Sequence, residues 1–248
     1  MIPKIILSGF MMAALLPAGA QTQAHFFSAI KVEFEKSISV RQLYKETQPE
    51  WYERIKDRLP VTALSYFEFT GDSSRSIFKP GKDVPIDPRA SYRAVADKNI
   101  VFTDFKKGRT ISQKPVFEET FLVEDSLLNI KWKITGDLRT IAGFECHKAI
   151  GILDDSIGIF AFYTDELMVS GGPEGIQGLP GMILGLGIPR LHTTWFATRV
   201  EVNDVDMKKV LPATKGKKVN RLTLMQSLEK VMKDWGPSGG KMIINFII

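Results

Sequence analysis

Ile30-Lys31-Val32-Glu33-Phe34-Glu35 alternates apolar and charged side chains without a break. Successive side chains of an extended chain leave on opposite sides, so Ile30, Val32 and Phe34 share one face and the three charges share the other. This is the pattern of a strand with one side in a core and one in solvent. Similar short runs recur at Thr62–Thr70, Ser76–Lys79, Asn99–Phe105, Thr110–Phe117, Glu119–Glu124, Ile130–Thr135, Phe144–Leu153, Ile157–Tyr163 and Leu191–Val202. Polar turn sequences such as Gly71-Asp72-Ser73 and Lys106-Lys107-Gly108-Arg109 separate them, as hairpins require.

Two helices are expected among these strands. Gln48-Pro49-Glu50 opens the first, with Trp51, Tyr52, Ile55 and Leu59 at helical spacing and Pro60 as its stop. The second carries Leu224, Met225, Leu228, Val231, Met232 and Trp235 on one stripe and ends at Gly236-Pro237. The tail Met242–Ile248 reads as a last strand. The expected fold is therefore mainly β with two helices: a curved antiparallel sheet or open half barrel closed by the C-terminal helix. With 248 residues, 44% hydrophobic and 25% charged, the composition excludes long disorder and a disulfide-stapled miniprotein, and it fits one domain over residues 21–248.

Residues 1–20 read as a signal peptide. Lys4 precedes an apolar run, Ile5–Leu16, that is too short to span a bilayer, and Pro17-Ala18-Gly19-Ala20 places small residues at a cleavage site after Ala20. Gln21, in place of Cys, does not indicate a lipidated start. The expected location is the periplasm or the exterior, with no transmembrane segment. A net charge of +5 bears on solubility and attraction to anionic surfaces, not on fold. Nucleic acid is an unsuitable partner for an exported chain. The lone Cys146 has no disulfide partner and reads as a small buried side chain.

Seven of the 20 glycines fall between Gly171 and Gly187, beside Pro173, Pro180 and Pro189. In Leu179-Pro180-Gly181-Met182 the proline fits the second position of a type II turn and the glycine the positive φ of the third, with Met182-Ile183-Leu184 resuming as a strand. The hexapeptide Gly178-Leu179-Pro180-Gly181-Met182-Ile183 resembles the one that names the GLPGLI family, exported proteins of the Bacteroidetes, with Met182 where the name has Leu. Trp132-Lys133-Ile134, the block Thr140–Ala149, and Ala161–Glu166 followed by Gly172-Pro173 resemble that family in order and spacing. The likeness spans about residues 130–200. It implies an exported β-rich protein and carries over no reaction, ligand or catalytic residue.

Patterns with chemical potential are sparse. Cys146 and His147 adjoin, yet on a strand they face opposite ways, and His25 and His192 lack metal-ligand spacing. There is no G-x-S-x-G elbow for a nucleophile. Carboxylates at Glu118-Glu119, Asp154-Asp155, Asp204 and Asp206 sit in no diagnostic context, although two carboxyls from any pair of strands are able to form a glycosidase pair. The Gly175, Gly178, Gly181 and Gly185-Leu186-Gly187 spacing leads into a strand and Pro189, not into the helix a phosphate cradle needs. Six basic residues from Lys208 to Arg221, without an acid, read as a solvated loop. No catalytic residue, metal or cofactor is assigned, and the motif turn Gly178–Ile183 is the singled-out feature. The reading favours a non-catalytic binding or envelope-assembly module for an apolar, peptide or lipid ligand. An envelope hydrolase using scattered carboxylates and a half-barrel lipid carrier are the alternatives.

Overall fold

The computed structural model describes residues 29–83, 92, 95–153, 156–233, 243, 244 and 246. The proposed leader, His25, Asp154-Asp155 and Trp235 lie outside them. Twelve strands form one open sheet: β1 (Ile30–Ser39), β2 (Thr62–Gly71), β3 (Arg75–Pro80), β4 (Ile100–Asp104), β5 (Arg109–Val116), β6 (Glu119–Ser126), β7 (Lys131–Ile141), β8 (Phe144–Leu153), β9 (Ile157–Thr164), β10 (Met182–Ile188), β11 (Thr193–Glu201) and β12 (Lys217–Val219). Their spatial order is β12-β6-β5-β4-β3-β2-β1-β11-β10-β9-β8-β7, antiparallel throughout except β12 beside β6. The alternation along β1 holds: Ile30, Val32, Phe34, Lys36 and Ile38 are buried, and Lys31, Glu33, Glu35 and Ser37 between them are not.

Packing shows that the sheet curls. Between β9 and β10 the chain crosses its inner face, and a Cβ on Gly175 would lie 3.0 Å from Val101 of β4, while one on Gly178 would lie 3.4 Å from Trp132 of β7. Those strands are fourth and twelfth in the order, a separation of about 38 Å in a flat sheet at about 4.8 Å per strand. Three residues of chain reach only about 11 Å. The sheet therefore wraps around the 167–181 segment, whose Leu167, Val169, Ile176 and Leu179 join Phe34, Phe67, Phe69 and Phe78 in the main core. Phe67 and Phe78 stack at 4.9 Å between ring centroids, and Phe34 meets Phe78 edge-on at 6.1 Å. On the outer face, Ile77, Phe102, Ile111 and Leu122 are covered by Val210.

Several expectations change. Three α-helices are defined among the described residues, because α1 (Val40–Thr47) directly follows β1 and precedes α2 (Pro49–Ile55), with Pro49 at the first turn as expected. α3 (Arg221–Met232) packs Leu224, Leu228 and Met232 on Val116, Phe121 and Val123, while Val231 is exposed, so the buried stripe is narrower than predicted. It lies against β6. In the tail, the described residues Ile243, Ile244 and Phe246 have helical and not extended backbone, and Ile243 and Phe246 extend the α3 cluster. Strand β11 starts at Thr193, because Pro189–Leu191 forms a 3-10 turn and His192 takes a left-handed φ of 49°. The basic 208–221 stretch is only partly a loop, since β12 pairs with β6 there. No helix among the described residues is long and apolar enough to cross a membrane.

The motif turn also differs in type. The Gly181 N–H donates to Leu179 O at 2.8 Å, closing a three-residue γ-turn around Pro180. The type II turn is not formed because the Met182 N–H it needs donates instead to Leu167 O at 3.1 Å. Gly181 does hold positive φ, 134°, and a Cβ there would overlap the Thr164 carbonyl oxygen. Gly181→Val is expected to lower the urea unfolding free energy by about 3 kcal/mol or more, and Pro180→Ala by less than about 1 kcal/mol. An unchanged urea midpoint for the valine variant would contradict this packing.

Candidate functional site

The inward row of β1 is broken by one charge. Lys36 follows the parity of Ile30, Val32 and Phe34, so strand geometry sends it into the core, where it is 4% exposed. Its ammonium donates to Val95 O at 3.1 Å and to Asp97 Oδ1 at 3.2 Å, and lies 5.5 Å from the Trp195 ring centroid and 5.6 Å from that of Phe67. Ser65 Oγ holds the other Asp97 oxygen at 2.7 Å. On β5 the inward positions are Thr110, Ser112 and Lys114, all buried.

The matching acid comes from the segment inside the curl. Glu174 sits in the 3-10 turn Pro173–Gly175 with φ 54° and ψ 23°, a left-handed conformation costing a non-glycine residue about 1–2 kcal/mol. Its Oε2 accepts from Asn99 Nδ2 at 3.3 Å. Its Oε1 has no hydrogen-bond partner among the described residues. Burial raises the Glu174 carboxyl above its ordinary value, opposed by Lys114 and Lys36, while burial lowers the Lys114 ammonium to about 8, opposed by Glu174. Each ion is made tolerable by the other.

Glu174 forms a shared wall between two cavities. One, of about 90 Å³, is bounded by Lys36, Trp195, Tyr44 and Tyr92 among others. The second, of about 30 Å³, lies towards Thr110, Ser112, Lys114 and Arg221. A groove of about 220 Å³ on the other face is lined by Lys31, Glu68, Lys79, Glu201, Asp204 and Asp206.

The singled-out residues distribute differently. Leu179, Met182 and Ile183 are buried in the main core, and Gly178 is backed by Trp132, whose indole N–H donates to Gln177 O at 3.0 Å. None of Gly178, Leu179, Pro180, Gly181, Met182 and Ile183 lines either inner cavity. Cys146 is fully buried, donates to Phe144 O at 3.5 Å, and has its thiol pushed up to about 12 by burial. Its neighbour His147 packs on the Tyr163 ring at 5.7 Å, as opposite strand faces require. His192 meets Glu46 at 2.7 Å in the hairpin turn, not on a strand. Glu119 and Glu118 are exposed at the β5–β6 turn, and Asp206 caps a turn by accepting from Lys208 N at 2.9 Å. Among the described residues no group of three or more His, Cys, Asp or Glu is placed to hold a metal.

Sequence reasoning missed the Lys36, Lys114 and Glu174 centre. The parity signal was present: Lys36 is the one charge on its inward row, and Lys114 shares the parity of Val116. Nothing local announces that Glu174 meets Asn99, 75 positions away.

No family model matches the chain, and no curated protein does either. Solved structures do match. Two crystal forms of PNGF-II, in space groups C2 and P21, align with TM-scores of 0.50 and 0.52 at 15% and 14% identity, covering 79% and 83% of this chain. The matched regions are 31% and 34% of those chains, so this chain spans about a third of their length. An uncharacterized conserved protein from Thermus thermophilus aligns over 78% of this chain and 90% of its own, with a TM-score of 0.37 at 5% identity. At such identities the PNGF-II likeness is one of fold alone.

Lys114 gives a pH test. Its folded value of about 8 lies below the ordinary 10.5, so the unfolded chain binds more protons between the two, and stability from this group rises with pH across that window. The difference in urea stability between the native protein and Lys114→Met should move in the native protein's favour by up to about 3 kcal/mol from pH 8 to 10.5. A difference that stays flat would show that Lys114 is not desolvated.

Proposed function

We propose that the chain is an exported envelope protein of the GLPGLI type that acts as a non-catalytic binding or assembly module. The observation that carries this reading is the burial of Leu179, Met182 and Ile183 and the close fit of Gly181 on the Thr164 backbone. The hexapeptide fills the curl of the sheet and shapes the backbone, and it presents no functional group to a cleft. The buried Cys146 thiol, raised by burial, is a poor nucleophile. The PNGF-II likeness adds that this fold occurs as one part of a longer protein, which suits a recognition or assembly role. The finer shape, a half barrel with α3 across its mouth, belongs to the same proposal. Its support is that Arg221 and Leu224 line the small cavity together with Leu153 of β8.

The carrier alternative fares less well. Inner cavities of about 90 and 30 Å³ fall below the roughly 300–1,000 Å³ of sites that enclose a drug-sized ligand. A hydrolase would draw on Glu174, the carboxylate with a raised value, so it is the residue to test. The purified protein is expected to show no turnover on a panel of glycan, peptide and ester substrates. Turnover that Glu174→Gln abolishes, in a variant that still folds, would reverse the ranking. Secreted from a host with residues 1–20 intact, the mature protein is expected to begin at Gln21 on N-terminal sequencing. An uncut Met1 start would remove the export reading.

A further inference from the structure

Two residues that line the cavity of about 90 Å³ each carry a buried polar atom without a hydrogen-bond partner among the described residues: Nε1 of the Trp195 indole and Oε1 of Glu174. Trp195 is 2% exposed and Glu174 6%, so neither atom reaches bulk solvent. A buried polar atom left unpaired costs about 1–3 kcal/mol. One of these atoms is a donor and the other an acceptor. The other Glu174 oxygen accepts from Asn99, and Lys36 is committed to Val95 O and Asp97, so neither of these satisfies the unpaired atoms.

Charge, volume and lining then narrow what enters. The charged residues that line the cavity are Lys36 and Glu174, one of each sign, so it has no net charge to offer an ion. A volume of about 90 Å³ is about three times the roughly 30 Å³ taken by one water in the liquid. Only about three non-hydrogen atoms fit. The rest of the lining includes Ile38, Leu43 and Leu191, which suits carbon. A hydroxyl is the group in which a single atom accepts from the indole N–H and donates to Glu174 Oε1.

The geometry points to a ligand site that takes the neutral hydroxymethyl arm of a polyol, from a sugar or a glycerol unit. The body of the ligand stays at the mouth, and the lining it adjoins includes the Tyr44 and Tyr92 rings, which stand edge to face at 6.3 Å. This inference rests on the binding-module reading and names its ligand class.

The test is titration of the full mature chain, followed through its indole N–H resonances by NMR, with glycerol, methyl α-D-glucopyranoside, the 6-deoxy form of that glycoside, and acetamide. The Trp195 signal, identified by its loss in Trp195→Phe, is expected to shift saturably with the glucoside and at least tenfold more weakly with the 6-deoxy form, the worth of one hydrogen bond. Glycerol separates the two sources: binding as tight as the glucoside assigns a glycerol unit, and weaker binding assigns a sugar. Leu43→Trp, on α1 and away from both polar atoms, should block the shift by filling the mouth. Saturation by acetamide alone would assign a carboxamide and overturn the proposal. No saturable shift with any probe would overturn it too and leave the two atoms to trapped water. Such a failure leaves the binding-module reading standing, because turnover assays decide that one.

Discussion

A buried carboxylate delivered on a left-handed backbone, and stabilised through space by the charge of one lysine from β1 and another from β5, is the interaction on which the arrangement of this molecule turns. Strands β1 and β5 are not neighbours in the sheet; β2, β3 and β4 lie between them. Glu174 feels the charge of a lysine on each and also accepts from Asn99 just before β4, so the curvature of that half of the sheet and the position of the inner segment are set together. A flatter sheet would leave three buried charges apart, and losing one partner of a buried pair costs about 3–5 kcal/mol. Apolar packing of Ile176 and Leu179 supplies the bulk of the cohesion. The charges supply register, since oil alone does not distinguish one placement of a loop from its neighbour.

Strand content was legible because it is local. Phe144–Leu153 is a short run rich in apolar and β-branched residues, and the structure places β8 on those same residues. Helix α2 was legible from Pro49 and its spacing. Helix α1 was not, because Val40 continues the parity of β1 and no proline or glycine marks the change of period. The γ-turn at Pro180 could not be separated from a β-turn, since the choice depends on Leu167 O capturing the Met182 N–H from a distant part of the chain. The edge strand β12 was hidden by its lysines, which are what a solvated loop and an exposed edge have in common.

The candidate site was the least legible part for the same reason. Its members come from β1, β5, the start of β4 and the inner segment, and only tertiary folding joins them. A search for metal ligands and nucleophiles passed over it because lysine and glutamate on a strand or in a turn are ordinary surface residues. What distinguishes them is parity: a charge on the row that faces inward has to find a partner. The shared fold with part of PNGF-II shows that this sheet is compatible with more than one sequence.

The two rims of the sheet are unequal in length but alike in sign. Strand β12 runs for three residues and exposes Lys217 and Lys218, while β7 runs for eleven, exposes Lys131, Lys133 and Arg139, and is kinked between Ile134 and Leu138. Laid rim to rim, successive copies would bring ammonium against ammonium along a ladder that the kink already disrupts. Growth of the sheet into a fibre is thereby discouraged from both ends, and a molecule with a dozen strands and no closure can remain discrete at high concentration.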